Sequence, residues 1–206
     1  MPVLVQPVVP AGRLRNQAQP TLRADYLTLR PWRLSDADAV LAAYRDPGIQ
    51  RWHAQSIAHD EVVPWLSSWS DRWRAETGAG WAVTEQDTLV GRVGFRSIDL
   101  DEGMAEVAYW TVPAARGRNI AARAVRAAST WMFRSVGLHR LELSHSTLNP
   151  ASCRIAEKAG YPYEGTRHLP MGYRPTPGDR ERTHEMTRMS LTPARHLQSR
   201  HQGFYA

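Results

Sequence analysis

Cysteine is almost missing from this chain. Cys153 stands alone among 206 residues, so no intramolecular disulfide can form and a reducing cytoplasm is the expected compartment. Lysine is equally scarce, since Lys158 is the only one among 26 basic residues. No apolar run approaches the roughly 18 residues of a membrane span. The stretch Val3 to Val9 is broken by Gln6 and Pro7, and basic residues follow it rather than precede it, so it does not read as a secretion signal. His139, His145, His168 and His184 lie too far apart for zinc spacing, and no cysteine pair accompanies them. No metal site and no membrane partner are expected. Runs of five like charges and internal repeats are also lacking.

What is present suits one compact α/β domain with tails, because 42% hydrophobic content over this length can bury a substantial core. The net charge is +6. Arginine in such excess favours phosphate-bearing partners such as a coenzyme, tRNA or ribosomal RNA, with a solvated basic surface as the alternative. Residues 1–24 carry four prolines and no regular period, which reads as a flexible or loosely docked arm. The domain is expected over 25–191 and a tail over 192–206.

Within the domain, Leu27 to Trp32 reads as a strand, and Ser35 as the N-cap of a helix with Val40, Leu41 and Tyr44 on one face. Val62, Trp65, Leu66, Trp69 and Trp73 recur every three or four residues and predict a second helix, with Trp52 and His53 just before it. Indole at that density either packs a core or walls a pocket. Trp81 to Thr84, Leu89 to Arg96 and Met104 to Val112 follow as strands joined by short turns, an antiparallel meander. Pro113 ends the last of these. From Ile120 the period becomes helical, through Ala121, Ala124, Val125, Ala128, Trp131 and Met132, until Gly137 stops it. A strand at Leu141 and Leu143 must then run parallel to the strand before the helix. Asn149 and Pro150 open a helix that Gly160 closes. Tyr161, Tyr163 and Glu181 to Met189 supply two more strands.

The turn between Pro113 and Ile120 has a chemical consequence. First-turn amides have no acceptor inside the helix and the helix dipole is positive there, so strand, Arg/Gly turn and helix N-terminus together form an anion cradle suited to a pyrophosphate. Arg116, Gly117, Arg118, Asn119, Ile120 and Ala121 resemble the phosphate loop of the GNAT N-acyltransferases. The chain is most similar to the branch that acetylates ribosomal-protein N-termini, the RimJ and RimL type. Asn119 stands where that family usually has glycine. Leu27 to Trp32, Ser35 to Ala39, Gly91 to Phe95, and Asn149, Ser152, Glu157, Lys158, Gly160 and Tyr161 extend the resemblance to about Leu27 through Leu191.

The resemblance implies a mixed, mostly antiparallel sheet of about seven strands with helices on both faces, and transfer of an acetyl group from acetyl-coenzyme A to a primary amine in a ternary complex. It implies that Glu106 acts as base or positions a water, and that Ser152 protonates the departing thiolate, with Tyr161 or Tyr163 as fallback. Thr111, Val112 and Asn149 would contact the pantetheine arm beside a strand bulge, and the Arg116 to Ala121 loop would hold the phosphates. Trp52, His53, Trp65, Trp69 and Tyr109 are the acceptor-side candidates. Two rival functions stay open: the same fold with an aminoacyl-tRNA or carrier-protein thioester as donor, and a fold that has become a binding module. Monomer and homodimer both stay open.

Overall fold

The computed structural model describes residues 6–53, 55–168 and 185–191. Among these an eight-stranded sheet is ordered β1-β2-β3-β4-β5-β6-β8-β7. The first five strands are β1 (Leu22–Ala24), β2 (Leu27–Pro31), β3 (Ala79–Glu85), β4 (Thr88–Asp99) and β5 (Met104–Thr111). They form an antiparallel run. After helix α4 (Ile120–Trp131), β6 (Arg140–Ser146) joins β5 in parallel, as a strand reached through a helix must. β7 (Tyr163–His168) and β8 (Glu185–Leu191) close the sheet antiparallel. The remaining helices are α1 (Ala37–Tyr44), α2 (Pro47–His53), α3 (Val62–Arg74) and α5 (Pro150–Ala159). Part of the Glu181 to Met189 strand expectation, residues 181–184, lies outside the described residues.

Two apolar clusters hold these layers. One lies under α4 and α5 and buries Trp81, Phe95, Ile120, Met132, Leu141, Leu143 and Tyr161. The other joins α1, α2 and α3 through Val40, Tyr44, Ile49, Leu66 and Trp110. Each such side chain taken fully out of water contributes about 1.5–3 kcal/mol. β4 lies between β3 and β5, and its Gly94 allows the close approach to β3, since a Cβ there would fall 2.5 Å from the Ala79 carbonyl oxygen. α4 does not stop at Trp131 but widens into a π turn, Met132–Val136, that Gly137 ends at φ +97.

The eighth strand comes from the segment expected to be a loose arm. Residues 8–24 are docked: the Val8 and Val9 amides donate to the Asp101 and Leu100 carbonyls, and Leu14 is wholly buried. The Glu76 carboxylate accepts from the amides of Gly12 and Leu14, both at 2.7 Å, and of Arg15 at 3.3 Å. Trp73 and Trp81 donate their indole N–H to the Gln17 and Pro20 carbonyls. The prolines therefore mark an irregular path over the sheet, not an undocked one. The cap of the first helix also differs from expectation. Asp36, not Ser35, stands at the N-cap position of α1 without a side-chain cap bond to that helix; its carboxylate instead accepts from the Arg33 amide at 2.8 Å, closing the preceding 3-10 turn Leu34–Asp36, and grips the buried Arg30 guanidinium through two bonds.

Candidate active site

The parallel pairing of β5 with β6 covers only Met104 to Glu106 against Arg140 to Glu142. Beyond Glu106 the two strands part. β5 continues to Thr111 bonded to β4, while β6 continues to Ser146 bonded to β8. The wedge between them opens a cavity of about 620 Å³. Val107 to Thr111 form one wall and Leu143 to Ser146 the other. The two strands therefore splay beyond Glu106. The register shift that accompanies it lies on β4, between Phe95 and Ser97 beside Glu106, not at Thr111.

One end of the cavity is the cradle. Arg116, Gly117, Asn119, Ile120, Ala121 and Ala122 border it. A Cβ at Gly117, which sits at φ +77, would meet nothing within 4 Å, so the space above the turn is open to a ligand. Asn119 adopts left-handed backbone at φ 62, the conformation a glycine would take, and its side chain caps nothing. The Arg116 side chain donates to the Asp46 carboxylate and, at 3.3 Å, to the Thr111 carbonyl. Asp46 is held below its ordinary carboxylate range: burial pushes it up, and the Arg116 bond and the Ile49 amide more than offset this.

The floor comes from α5. Asn149 caps that helix by accepting from the Ser152 amide at 3.1 Å, which fixes Ser152 in the first turn. The Ser152 hydroxyl, 8% exposed, lies 2.6 Å from the Tyr109 hydroxyl. Tyr109 is pushed up to about 12, by burial above all, with the Ser152 bond working the other way. Across the cavity α2 contributes Gly48, Ile49, Trp52 and His53. His53 Nε2 is 2.8 Å from the Tyr109 carbonyl oxygen. A carbonyl can only accept, so Nε2 carries the proton and Nδ1 is the lone-pair nitrogen of the neutral ring. Burial, together with the Arg92 and Arg96 charges, lowers His53 to about 4 against the pull of that carbonyl.

The wedge thus brings together Trp52, His53, Tyr109, Thr111, Arg116, Gly117, Asn119, Ile120, Ala121, Asn149 and Ser152. Five other sequence candidates stand apart from its walls. Glu106 lies at the last paired position of β5, its carboxylate bonded to the Arg96 guanidinium, and Arg96 itself borders the cavity. Val112 packs against both apolar clusters. Arg118 turns sideways into a two-bond pair with Glu85 at 2.7 and 3.0 Å. Trp65 and Trp69 belong to an edge-to-face aromatic cluster with Trp32, Tyr44 and Trp110. Of the fallback tyrosines, Tyr161 is buried against the Ser129 hydroxyl at 2.6 Å, and Tyr163 is exposed.

Sequence reasoning missed Arg96, Ser144, His145, Arg154 and Lys158, which all border the cavity. His145 was legible as the polar member of the buried alternation Leu141, Leu143, His145. Its Nδ1 donates to the Ser146 carbonyl at 2.9 Å, and its Nε2 is buried with no hydrogen-bond partner. Among the described residues no cluster of His, Cys, Asp or Glu could hold a metal ion, and no helix is long and apolar enough to cross a membrane.

Residues 26–162 match the family model described as the acetyltransferase (GNAT) domain, and the chain belongs to that family. It is 26% identical over 166 residues to an uncharacterized N-acetyltransferase, YoaA, of Bacillus subtilis, covering 78% of this chain and 93% of the relative. The fold is that of RimJ from Mycobacterium smegmatis in complex with CoA-disulfide, at TM-score 0.72 and 21% identity over 87% of this chain and 88% of that one. It is also that of a spermidine N-acetyltransferase from Vibrio cholerae in complex with CoA and spermine, at TM-score 0.68 and 20% identity over 81% and 95% of the two chains.

Proposed function

We propose that the protein transfers an acetyl group from acetyl-coenzyme A to a primary amine, of a protein N-terminus or a small molecule, by direct attack within a ternary complex in a reducing cytoplasm. The observation that carries this reading is the cradle opening into the strand wedge: the N-terminus of α4, whose first-turn amides have no acceptor within the helix, free space over Gly117, and Arg116, Arg154 and Lys158 on the walls of the same cavity. These features suit a diphosphate with a further phosphate beside it. RimJ, RimL and the Vibrio enzyme support the same donor chemistry through the CoA present in their structures.

In this reading the cradle amides and cations anchor the phosphates, and the wedge between β5 and β6 aligns the pantetheine arm along Val107 to Thr111, with Asn149 at its side. The amine nitrogen attacks the thioester carbonyl, an N–C bond forms, the C–S bond breaks, and the sulfur leaves as thiolate. Ser152 supplies the proton that neutralises the thiolate, and Tyr109 holds the Ser152 hydroxyl in place. Glu106, gripped by Arg96 where the wedge begins, positions a water that removes the amine proton. Cys153 takes no part, because direct transfer needs no acyl-enzyme.

Calorimetric titration with acetyl-coenzyme A, followed by free-thiol release with a panel of amines, tests the reading. Micromolar binding and acceptor-dependent thiol release are expected, and absence of binding at millimolar donor would remove it. Glu106→Gln should lower kcat/KM for the acceptor by roughly 100-fold while leaving donor binding unchanged, the scale of a general base.

A further inference from the structure

Tyr109 meets the cavity from both faces of the sheet. The Val112 amide donates to the Val90 carbonyl, and a Cβ on Gly91 would fall 2.6 Å from the Trp110 carbonyl oxygen, so Trp110 and Val112 turn main-chain groups toward β4. Such groups alternate in direction along a strand, and those of Tyr109 and Thr111 therefore turn away from β4 into the wedge. Both carbonyls are taken there by side chains, that of Thr111 by Arg116 and that of Tyr109 by His53. Side chains alternate as well. The Tyr109 hydroxyl reaches Ser152 on α5, whereas Trp110 packs on the other face with Val40, Ile49 and Leu66 of α1, α2 and α3. His53 thus approaches Tyr109 from the α2 face, and Ser152 from the α5 face.

His53 and His145 both border the cavity, and they differ in what they can offer a ligand. The free nitrogen of His145, Nε2, is sealed inside the protein. His53 is half-buried; its Nε2–H is spent on the Tyr109 carbonyl, and its Nδ1 is neither sealed nor bonded among the described residues. The bond to a main-chain carbonyl fixes the tautomer and the orientation of the ring. Burial and the Arg92 charge weaken the ring's hold on a second proton, which keeps the Nδ1 lone pair available at neutral pH. A lone pair held in this way accepts an N–H.

We propose that His53 Nδ1 accepts one N–H of the acceptor amine, which enters from the α2 face, and that this bond selects primary over N-methylated amines. The inference rests on the acetyltransferase reading above and assigns the group that orients its nucleophile. A neutral primary amine carries two N–H bonds and one lone pair. In the proposed reaction one N–H gives its proton to the water that Glu106 positions. With the other held on Nδ1, the lone pair is left with one direction, toward a thioester lying along Tyr109 between His53 and Ser152. His53 orients the nitrogen and gains no proton in the step. A secondary amine has a single N–H and can serve only one of the two partners.

The test is thiol release from acetyl-coenzyme A with two matched pairs: the tripeptide Ala-Ala-Ala and its N-methyl form, and ethanolamine with N-methylethanolamine. In the parent, kcat/KM for at least one primary member should exceed that of its N-methyl partner about tenfold or more. In His53→Leu this advantage should fall toward unity through loss on the primary amine, while CoA affinity, read by calorimetry, stays unchanged. In His53→Gln, whose amide can donate to the Tyr109 carbonyl and accept from the amine, the advantage should return to within about threefold of the parent. Undiminished primary turnover in His53→Leu, an advantage lost only because the N-methyl amine reacts faster, or loss of CoA binding along with turnover would make the ring a wall or a prop and overturn the inference. No thiol release with any of the four amines in a parent that binds CoA would overturn it as well. A parent that binds no CoA marks instead the failure of the acetyltransferase reading itself.

Discussion

The hydroxyls of Tyr109 on β5 and Ser152 on α5 lie 2.6 Å apart, joining the β5 wall of the cavity to its α5 floor. One of them must donate to the other, and Tyr109, raised to about 12, stays protonated at any physiological pH. In the proposed reaction the pair would serve as the source of O–H for the departing thiolate. Ser152→Ala should lower kcat roughly 100-fold with little change in donor affinity. Tyr109→Phe, which keeps the ring and loses only the bond, should lower kcat about tenfold. Steady-state kinetics with both substrates varied checks this, and wild-type kcat in Tyr109→Phe would show that Ser152 needs no partner.

Asn119 holds left-handed backbone at φ 62 with no cap bond from its side chain. Replacing it with glycine therefore removes no interaction and relieves a backbone that tolerates asparagine but suits glycine better. Asn119→Gly should unfold within about 0.5 kcal/mol of the parent and bind CoA at least as tightly. Asn119→Val, β-branched in the same conformation, should lose about 1–2 kcal/mol and weaken CoA binding. Urea unfolding and calorimetry on the two variants provide the comparison.

The parts of this architecture that local pattern dictates were legible in the sequence. The helical period from Ile120, the Asn149–Pro150 start of α5 and the parallel placement of β6 all follow from spacing and chain connectivity. Two features were hidden because they depend on distant partners. Residues 8–24 have no period of their own; they are docked by Glu76, more than sixty positions away. The tryptophan stripe of α3 was ambiguous for the same reason. Only the packing of Trp65 and Trp69 against Trp32, Tyr44 and Arg92 separates them from the cavity wall, while Trp52, with no stripe to recommend it, lies on that wall.

Glu76 makes the docking of the N-terminal segment a measurable quantity. Its carboxylate is 8% exposed; burial would raise its pKa, but the Gly12, Leu14 and Arg15 amides outweigh this and lower it. Glu76→Ala leaves those amides without acceptors and should cost about 2–4 kcal/mol. A lowered native value means that the carboxylate's contribution is complete above the unfolded value of 4.5 and is lost as pH falls through the native one. The stability gap between parent and variant should accordingly narrow below pH 4.5. A gap constant down to pH 3 would mean that the charge is not what holds the segment.

His53 gives a second acid-sensitive element, on the α2 wall of the cavity. Burial first, then the Arg92 charge, with Arg96 adding to it, lowers the imidazole to about 4, although the Tyr109 carbonyl favours its N–H. The unfolded chain would bind that proton near 6.5, so the native state loses stability as pH falls from 6.5 toward 4 and gains nothing above that window. His53→Gln should flatten this part of the pH–stability curve. In the parent, the His53 ring proton should show no NMR titration between pH 5 and 8. Arg92→Met should move the midpoint upward, because it removes the stronger of two like-charge effects while leaving the carbonyl bond in place. A midpoint near 6.5 in the parent would mean that water reaches the ring and screens both arginines, so that neither burial nor their charge holds the imidazole neutral.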